Sequence, residues 1–223
     1  MKNFHPALLP AGMSDVLSPD AAFESQVLEK LNGIFSMYGY EKVKPPLIEF
    51  EESLLGSIGK AMEGQTFRIM DPISQRMMGV RADITPQIAR IASTRLKKIS
   101  RPLRLSYAGE VLRVKGSEIR PERQFSQVGA ELIGIDNYAA DAEVIIMAAN
   151  ALTSLGISNL SIDLGLPTLI PTICKELNIP KPIEEQLDAE PKPAPLQHRP
   201  HRTRSPRTTH PTRRSEVVLQ PPK

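Results

Sequence analysis

The feature that most constrains the fold is a pair of long strand-like stretches, residues 103–114 and 124–135, separated only by a short polar loop. Strands this close in sequence pair as an antiparallel hairpin, because a parallel pair needs a longer crossover. Helical stretches precede and follow the hairpin, and no regular alternation of strand and crossover helix is visible. The expected class is therefore α+β: an antiparallel sheet with helices on one face.

The flanking elements read in order. A first helix follows Ser18, the expected cap, with Pro19 in its first turn and Gly39 after its end. Phe23, Val27, Leu31, Ile34 and Tyr38 form one apolar stripe at helical spacing. A strand through residues 40–49 contains Pro45 and Pro46, so it bends or lies at an edge. Short strands are expected at 65–70 and 76–80, joined by a turn at Asp71-Pro72. A second main helix begins at Thr85, as cap, with Pro86 in its first turn, and Ile88, Ile91, Ala92 and Leu96 line its inner face. A third spans 138–155. A strand at 160–164 and a short helix at 168–177 complete the ordered part.

Charge divides the chain. The formal net charge is +3, but residues 191–223 alone carry eight basic residues against Glu216, about +7. Residues 1–190 therefore sum to −4, and the overall basicity is no argument for a nucleic-acid-binding fold. The single cysteine, Cys174, excludes an intrachain disulfide and a multi-cysteine metal site, and reads as a small buried hydrophobe. No signal peptide and no stretch of about 18 apolar residues is present, so a reducing cytoplasm is the expected compartment.

Two clusters could carry chemistry. On the second hairpin strand Phe125, Gln127, Gly129 and Glu131 share a face by period two. Gln127 offers a donor and an acceptor, Glu131 accepts, and Gly129 leaves room between them, which suits a small polar ligand with an amine. A solvated face on a half-exposed sheet fits the same spacing. Arg113 ends the first strand, where a guanidinium could grip a phosphate or carboxylate, and Arg120 and Arg123 add positive charge. The other cluster, Arg81-Ala82-Asp83-Ile84-Thr85-Pro86-Gln87, lies at a strand-to-helix junction that favours an anion. Asp83 there either holds an ammonium or assists the helix start. No phosphate loop, dinucleotide fingerprint or metal-ligand spacing occurs, so no cofactor or metal is expected. His5 alone precedes the last segment, which disfavours histidine-based acid–base catalysis.

These residues carry a resemblance. The leader Leu9-Pro10-Ala11-Gly12-Met13-Ser14-Asp15, the helix after it and the strand with Pro46 resemble the start and motif 1 of histidyl-tRNA synthetases, over about residues 6–180. The hairpin looks like motif 2 of class II aminoacyl-tRNA synthetases. The resemblance implies an ATP α-phosphate contact for Arg113 and histidine contacts for Gln127 and Glu131, with Asp83 and Thr85 in the segment that touches the amino acid. The departures count as much. Lys115 stands where the synthetase motif has a glutamate that helps hold ATP, and Asp83 is shorter than that family's glutamate. The later histidine-specific segments, motif 3 and the anticodon-binding domain are absent from the sequence. Arg81-Ala82-Asp83-Ile84-Thr85-Pro86-Gln87 resembles instead the regulatory subunits of short-form ATP phosphoribosyltransferase, synthetase relatives without aminoacylation activity. That implies a subunit that activates a catalytic partner in a hetero-oligomer, contributes feedback by histidine and has no catalytic residues. A truncated histidyl-tRNA synthetase core that activates histidine with ATP is the alternative. A module that binds nucleic acid through its basic tail is a third, disfavoured because the tail has no aromatic stacking platform.

The resemblance stops near residue 180, which divides the chain into a partial, incomplete synthetase-like domain, 1–180, and a tail, 181–223. The tail holds 9 of the 21 prolines and His198, His201 and His210, without Phe or Tyr. Such a segment cannot bury enough apolar surface to offset chain ordering, so disorder is expected. A reading-frame shift and a natural linker or basic arm both account for its composition. Limited proteolysis checks the division: trypsin should remove the arginine-rich tail before cutting the body, and a tail that resists trypsin would contradict it.

Overall fold

The computed structural model describes residues 8–56, 59–118, 120–163, 169–181 and 183. The expectation of disorder for the tail falls almost wholly outside these residues. The chain divides into two compact units, Met1–Leu160 and Ser161–Lys223.

In the first unit the hairpin dominates. Strands β5 (Leu103–Leu112) and β6 (Gln124–Ile133) pair antiparallel over ten residues each, from Leu103 opposite Ile133 to Leu112 opposite Gln124. The stretch with Pro45 and Pro46 does bend, and it divides into β1 (Glu41–Lys42) and β2 (Ile48–Phe50). β1 pairs parallel with β5, so the main sheet is mixed, in the order β1-β5-β6. Nothing in a two-residue strand announces its direction; β1 takes it from the chain's exit from the first helix. β2 joins a second sheet, ordered β2-β4-β3, with β3 (Phe67–Met70) and β4 (Met77–Val80). The Asp71 carboxylate accepts from the backbone N–H of Ile73 and Ser74, which closes the expected turn between them.

Helices lie on both faces of the main sheet, not on one. α3 (Thr85–Ser93) packs Ile88 and Ala92, with Ile84 before it, against Leu103, Leu105, Tyr107 and Val111 of β5. α1 (Asp20–Met37) and α4 (Tyr138–Ser154) cover the other face, where Leu31, Ile34, Phe35, Met147 and Ala151 meet Val128, Ala130 and Leu132. At period two β5 supplies most of the apolar residues of one face and β6 those of the other, so each face of the sheet needs a cover. A bidentate pair from Arg104 of β5 to Glu143 of α4, with both contacts at 2.7 Å, fastens the second layer. A one-turn helix, α2 (Glu51–Leu54), and a 3-10 helix, Gly59–Gln65, lead into β3.

Several local expectations change. α1 starts at Asp20, with Pro19 as its cap residue and no cap bond from Ser18. Its buried residues all lie in its second half, so Phe23 is exposed although it sits on the stripe. α3 is preceded by Ile84, and Thr85 is its first residue rather than its cap. Residues 160–163 form no strand, and Leu164 lies outside the described residues. Asn137 caps α4 by accepting from the Ala140 N–H at 2.9 Å.

In the second unit α5 (Leu169–Glu176) forms within the expected helix, whose first residue, Thr168, is outside the described residues. Cys174 is buried, as a small apolar residue would be.

Candidate functional site

The candidate residues converge on the sheet face that α3 covers. Arg81 sets the junction in place. Its N–H donates to the Leu47 carbonyl at 3.0 Å, and its carbonyl accepts from Leu112 at 3.0 Å, so the segment before α3 is tied to both sheets. Its buried guanidinium donates to the carbonyls of Glu110 and Pro45, at 2.7 and 3.0 Å. Burial lowers its pKa from the ordinary arginine value, with Glu110 and Glu49 opposing. Gly109 leaves room for it, since a Cβ there would lie 2.4 Å from Arg81 Nη2. Behind the junction Glu49 of β2 accepts from Gln87 at 2.8 Å and from Arg90 at 2.9 Å, which fixes the pitch of α3.

Four of the five sequence candidates join one hydrogen-bond chain. Asp83 Oδ1 accepts from the Thr85 N–H and from Gln127 Nε2, each at 2.9 Å. Gln127 Oε1 accepts from the Ile84 N–H at 2.9 Å. Asp83 therefore does assist the helix start, and it does so while facing β6. The Thr85 hydroxyl lies 3.0 Å from the Tyr107 hydroxyl, which donates to Glu131 Oε1 at 3.2 Å. Arg113, the fifth candidate, lies toward the loop end of the same face. Its Nε donates to the Ala82 carbonyl at 3.3 Å, and its guanidinium sits 5.1 Å from the Phe125 ring centre.

The other loop arginines separate by role. Arg123 donates to the carbonyls of Arg113 and Ala11, at 3.2 and 3.0 Å, and pins the leader to the hairpin. It is a structural tie. Arg120 rests 4.6 Å from the same Phe125 ring. Lys115 is exposed, with its backbone N–H on Gln65 Oε1 at 3.3 Å.

Electrostatically the strip is short of positive charge. No cation lies within 4.0 Å of the Asp83 or Glu131 carboxylates among the described residues. Burial pushes the Glu131 carboxyl above its ordinary value; the Tyr107 hydrogen bond opposes this, the Asp83 charge adds to it, and Thr85 opposes it again. Tyr107 is likewise pushed far up, first by burial and then by the charge of Glu131. Two shallow concavities, about 410 and 500 Å³, lie away from the strip, one lined by Glu51, Glu52 and Arg76 and the other by Asn32, Tyr40 and Ser106.

Sequence patterning missed Tyr107, and it placed Arg81 in the junction cluster without giving it a role. Tyr107 shares the face of Leu105 and Val111 and reads as core. Only the register shows it opposite Gly129, in the space that the glycine leaves. The room expected at Gly129 is thus filled by the protein's own ring.

A family model described as Histidyl-tRNA synthetase matches residues 12–191, and the chain belongs to that family, with a class II aminoacyl-tRNA synthetase-like fold. It is 61% identical over 173 residues to an ATP phosphoribosyltransferase regulatory subunit of Rhodospirillum centenum, a match covering 78% of this chain and 45% of that one. It is 62% identical over 167 residues to the protein of the same name from Paramagnetospirillum magneticum, covering 75% and 44%. A crystal structure titled an ATP phosphoribosyltransferase regulatory subunit/histidyl-tRNA synthetase, from Bacillus halodurans, superposes with a TM-score of 0.72 at 26% identity, over 84% of this chain and 48% of that one. The chain thus spans about 45% of the length of these curated relatives.

The upward shift at Glu131 has a stability consequence. A carboxyl with a raised folded-state pKa contributes stability that is present below its unfolded value, 4.5, and lost as pH rises through the folded value. Glu131→Gln should therefore unfold at higher urea concentration than the parent at pH 7, with the advantage gone near pH 4. A variant less stable than the parent at pH 7 would contradict the electrostatic description of the strip.

Proposed function

We propose that the chain carries the histidine-sensing site of an ATP phosphoribosyltransferase regulatory subunit and does no chemistry of its own. Its partner is a catalytic ATP phosphoribosyltransferase chain, in a hetero-oligomer. The chain activates this partner and passes on feedback by histidine in the first step of histidine biosynthesis, in the cytoplasm.

The observation that carries the reading is the order of charge along one sheet face. Arg113 comes first, then Asp83 with Gln127, then Glu131, and among the described residues no cation pairs with the Asp83 or Glu131 carboxylate. Histidine presents the complement in the same order: a carboxylate, an ammonium and an imidazole with N–H donors. Thr85 lies between the carboxylates on the same face, with its N–H on Asp83 and its hydroxyl beside Tyr107. The names of the relatives support the regulatory role. Lys115 supports the absence of aminoacylation, because its positive charge stands where the synthetase motif places an acid that helps hold ATP. Histidine would act by binding two states of the complex unequally; a tenfold difference in affinity is worth about 1.4 kcal/mol.

The test is reconstitution. Added to a short-form catalytic subunit, the chain should raise the rate of phosphoribosyl transfer to ATP, and histidine should suppress that gain. Glu131→Ala should weaken the suppression, and the chain alone should catalyse no histidine-dependent exchange of pyrophosphate into ATP. A partner whose rate is indifferent to the chain, or pyrophosphate exchange at an enzymic rate, would sink the reading.

A further inference from the structure

Tyr107 joins the two ends of the polar strip, and nothing in the roles given above to Asp83, Thr85, Gln127 and Glu131 accounts for it. It lies mid-strand in β5, only 4% exposed, with its ring against the glycine directly across the ladder. A Cβ at Gly129 would stand 2.5 Å from its Cζ and its hydroxyl oxygen, so no other residue fits there with the ring in place. The hydroxyl is 3.0 Å from Thr85 Oγ1 and 3.2 Å from Glu131 Oε1. A phenol has one proton. If that proton goes to Glu131, Thr85 must be the donor to the phenol oxygen. The chain then has a direction: Thr85 to Tyr107 to Glu131. Thr85 is in turn held through its backbone N–H by Asp83, which is held by Gln127.

We propose that Tyr107 is a positioning residue of the ligand site, which orients the Glu131 carboxylate and ties it to the start of α3, and that Gly129 is the residue that admits it. The proposal rests on the histidine-site reading for its biological meaning, but the geometry it asserts stands in the ligand-free chain. Burial and the neighbouring carboxylates keep the Tyr107 hydroxyl protonated, so it serves as a donor at every working pH. The groups that face Glu131 from the elements packed on it are Tyr107 from β5 and Asp83 and Thr85 from the start of α3.

The experiment follows the Glu131 carboxyl by NMR titration in the full, ligand-free chain. Tyr107→Phe keeps the ring and removes the donor while burial and Asp83 remain, so Glu131 should titrate at higher pH than in the parent. Incorporating 3-fluorotyrosine at position 107 leaves the packing nearly unchanged and makes the hydroxyl a stronger donor, so Glu131 should titrate lower. The opposed signs separate positioning from a merely structural role, and the fluorinated protein keeps the test decisive should Tyr107→Phe not fold. A Glu131 titration that moves in neither protein overturns the proposal. Histidine titration is the second readout. If the parent binds histidine, Tyr107→Phe should bind about tenfold more weakly, the worth of a hydrogen bond to a charged group. Equal affinity would overturn the proposal. A parent that binds no histidine counts against the functional reading alone, since the carboxyl titration needs no ligand.

Discussion

The antiparallel ladder between β5 and β6 is the constraint on which the rest of this structure depends. Ten residues on each strand are in register, and period two gives each strand two faces with different work. One face buries Val128, Ala130 and Leu132 under α1 and α4. The other buries Leu105, Tyr107 and Val111 under α3 and carries Gln127 and Glu131 on the same surface. A one-residue slip would exchange the faces, turning the polar pair into the α1–α4 core and the apolar trio toward α3. Register therefore specifies the layers and the candidate site together.

The site's polarity is held against a cost. A carboxylate that packs at the border of an apolar cluster loses solvation, and Glu131 shows it in its raised pKa. Two glycines make the arrangement possible. Gly109 gives way to the Arg81 guanidinium and Gly129 to the Tyr107 ring, at diagonal positions of the ladder. Each large side chain supplies what the glycine lacks: Arg81 anchors the approach to α3, and Tyr107 joins the two ends of the strip. A face that were only a core would gain stability from apolar residues at 127 and 131. The polar pair on that face is what the proposed ligand site would use.

Much of this was legible in the sequence for identifiable reasons. The hairpin, the Pro45–Pro46 bend and the span of α4 rest on local chemistry that tertiary contacts do not override. Asp83, Thr85, Gln127 and Glu131 could be singled out because period two and the junction before Pro86 put them on neighbouring surfaces; the proposal of histidine as their ligand comes from the resemblance to synthetases alone. What failed depended on distant partners. Ser18 and Thr85 look like caps, but α1 begins after Pro19 and the Thr85 hydroxyl meets Tyr107 instead. The direction of β1 and the second helical layer follow from packing across the sheet. Tyr107 is a core residue by pattern, and only the pairing with Gly129 exposes its second role.

The central claim is that the α3-facing side of the hairpin binds a small zwitterion while the opposite side is core. Hydrogen–deuterium exchange with and without histidine tests it most directly. The account predicts slowed exchange at the junction, residues 82–88, and along residues 124–133, with α1 and α4 unchanged. Protection confined to α1 and α4, or no change anywhere at saturating histidine, would contradict it.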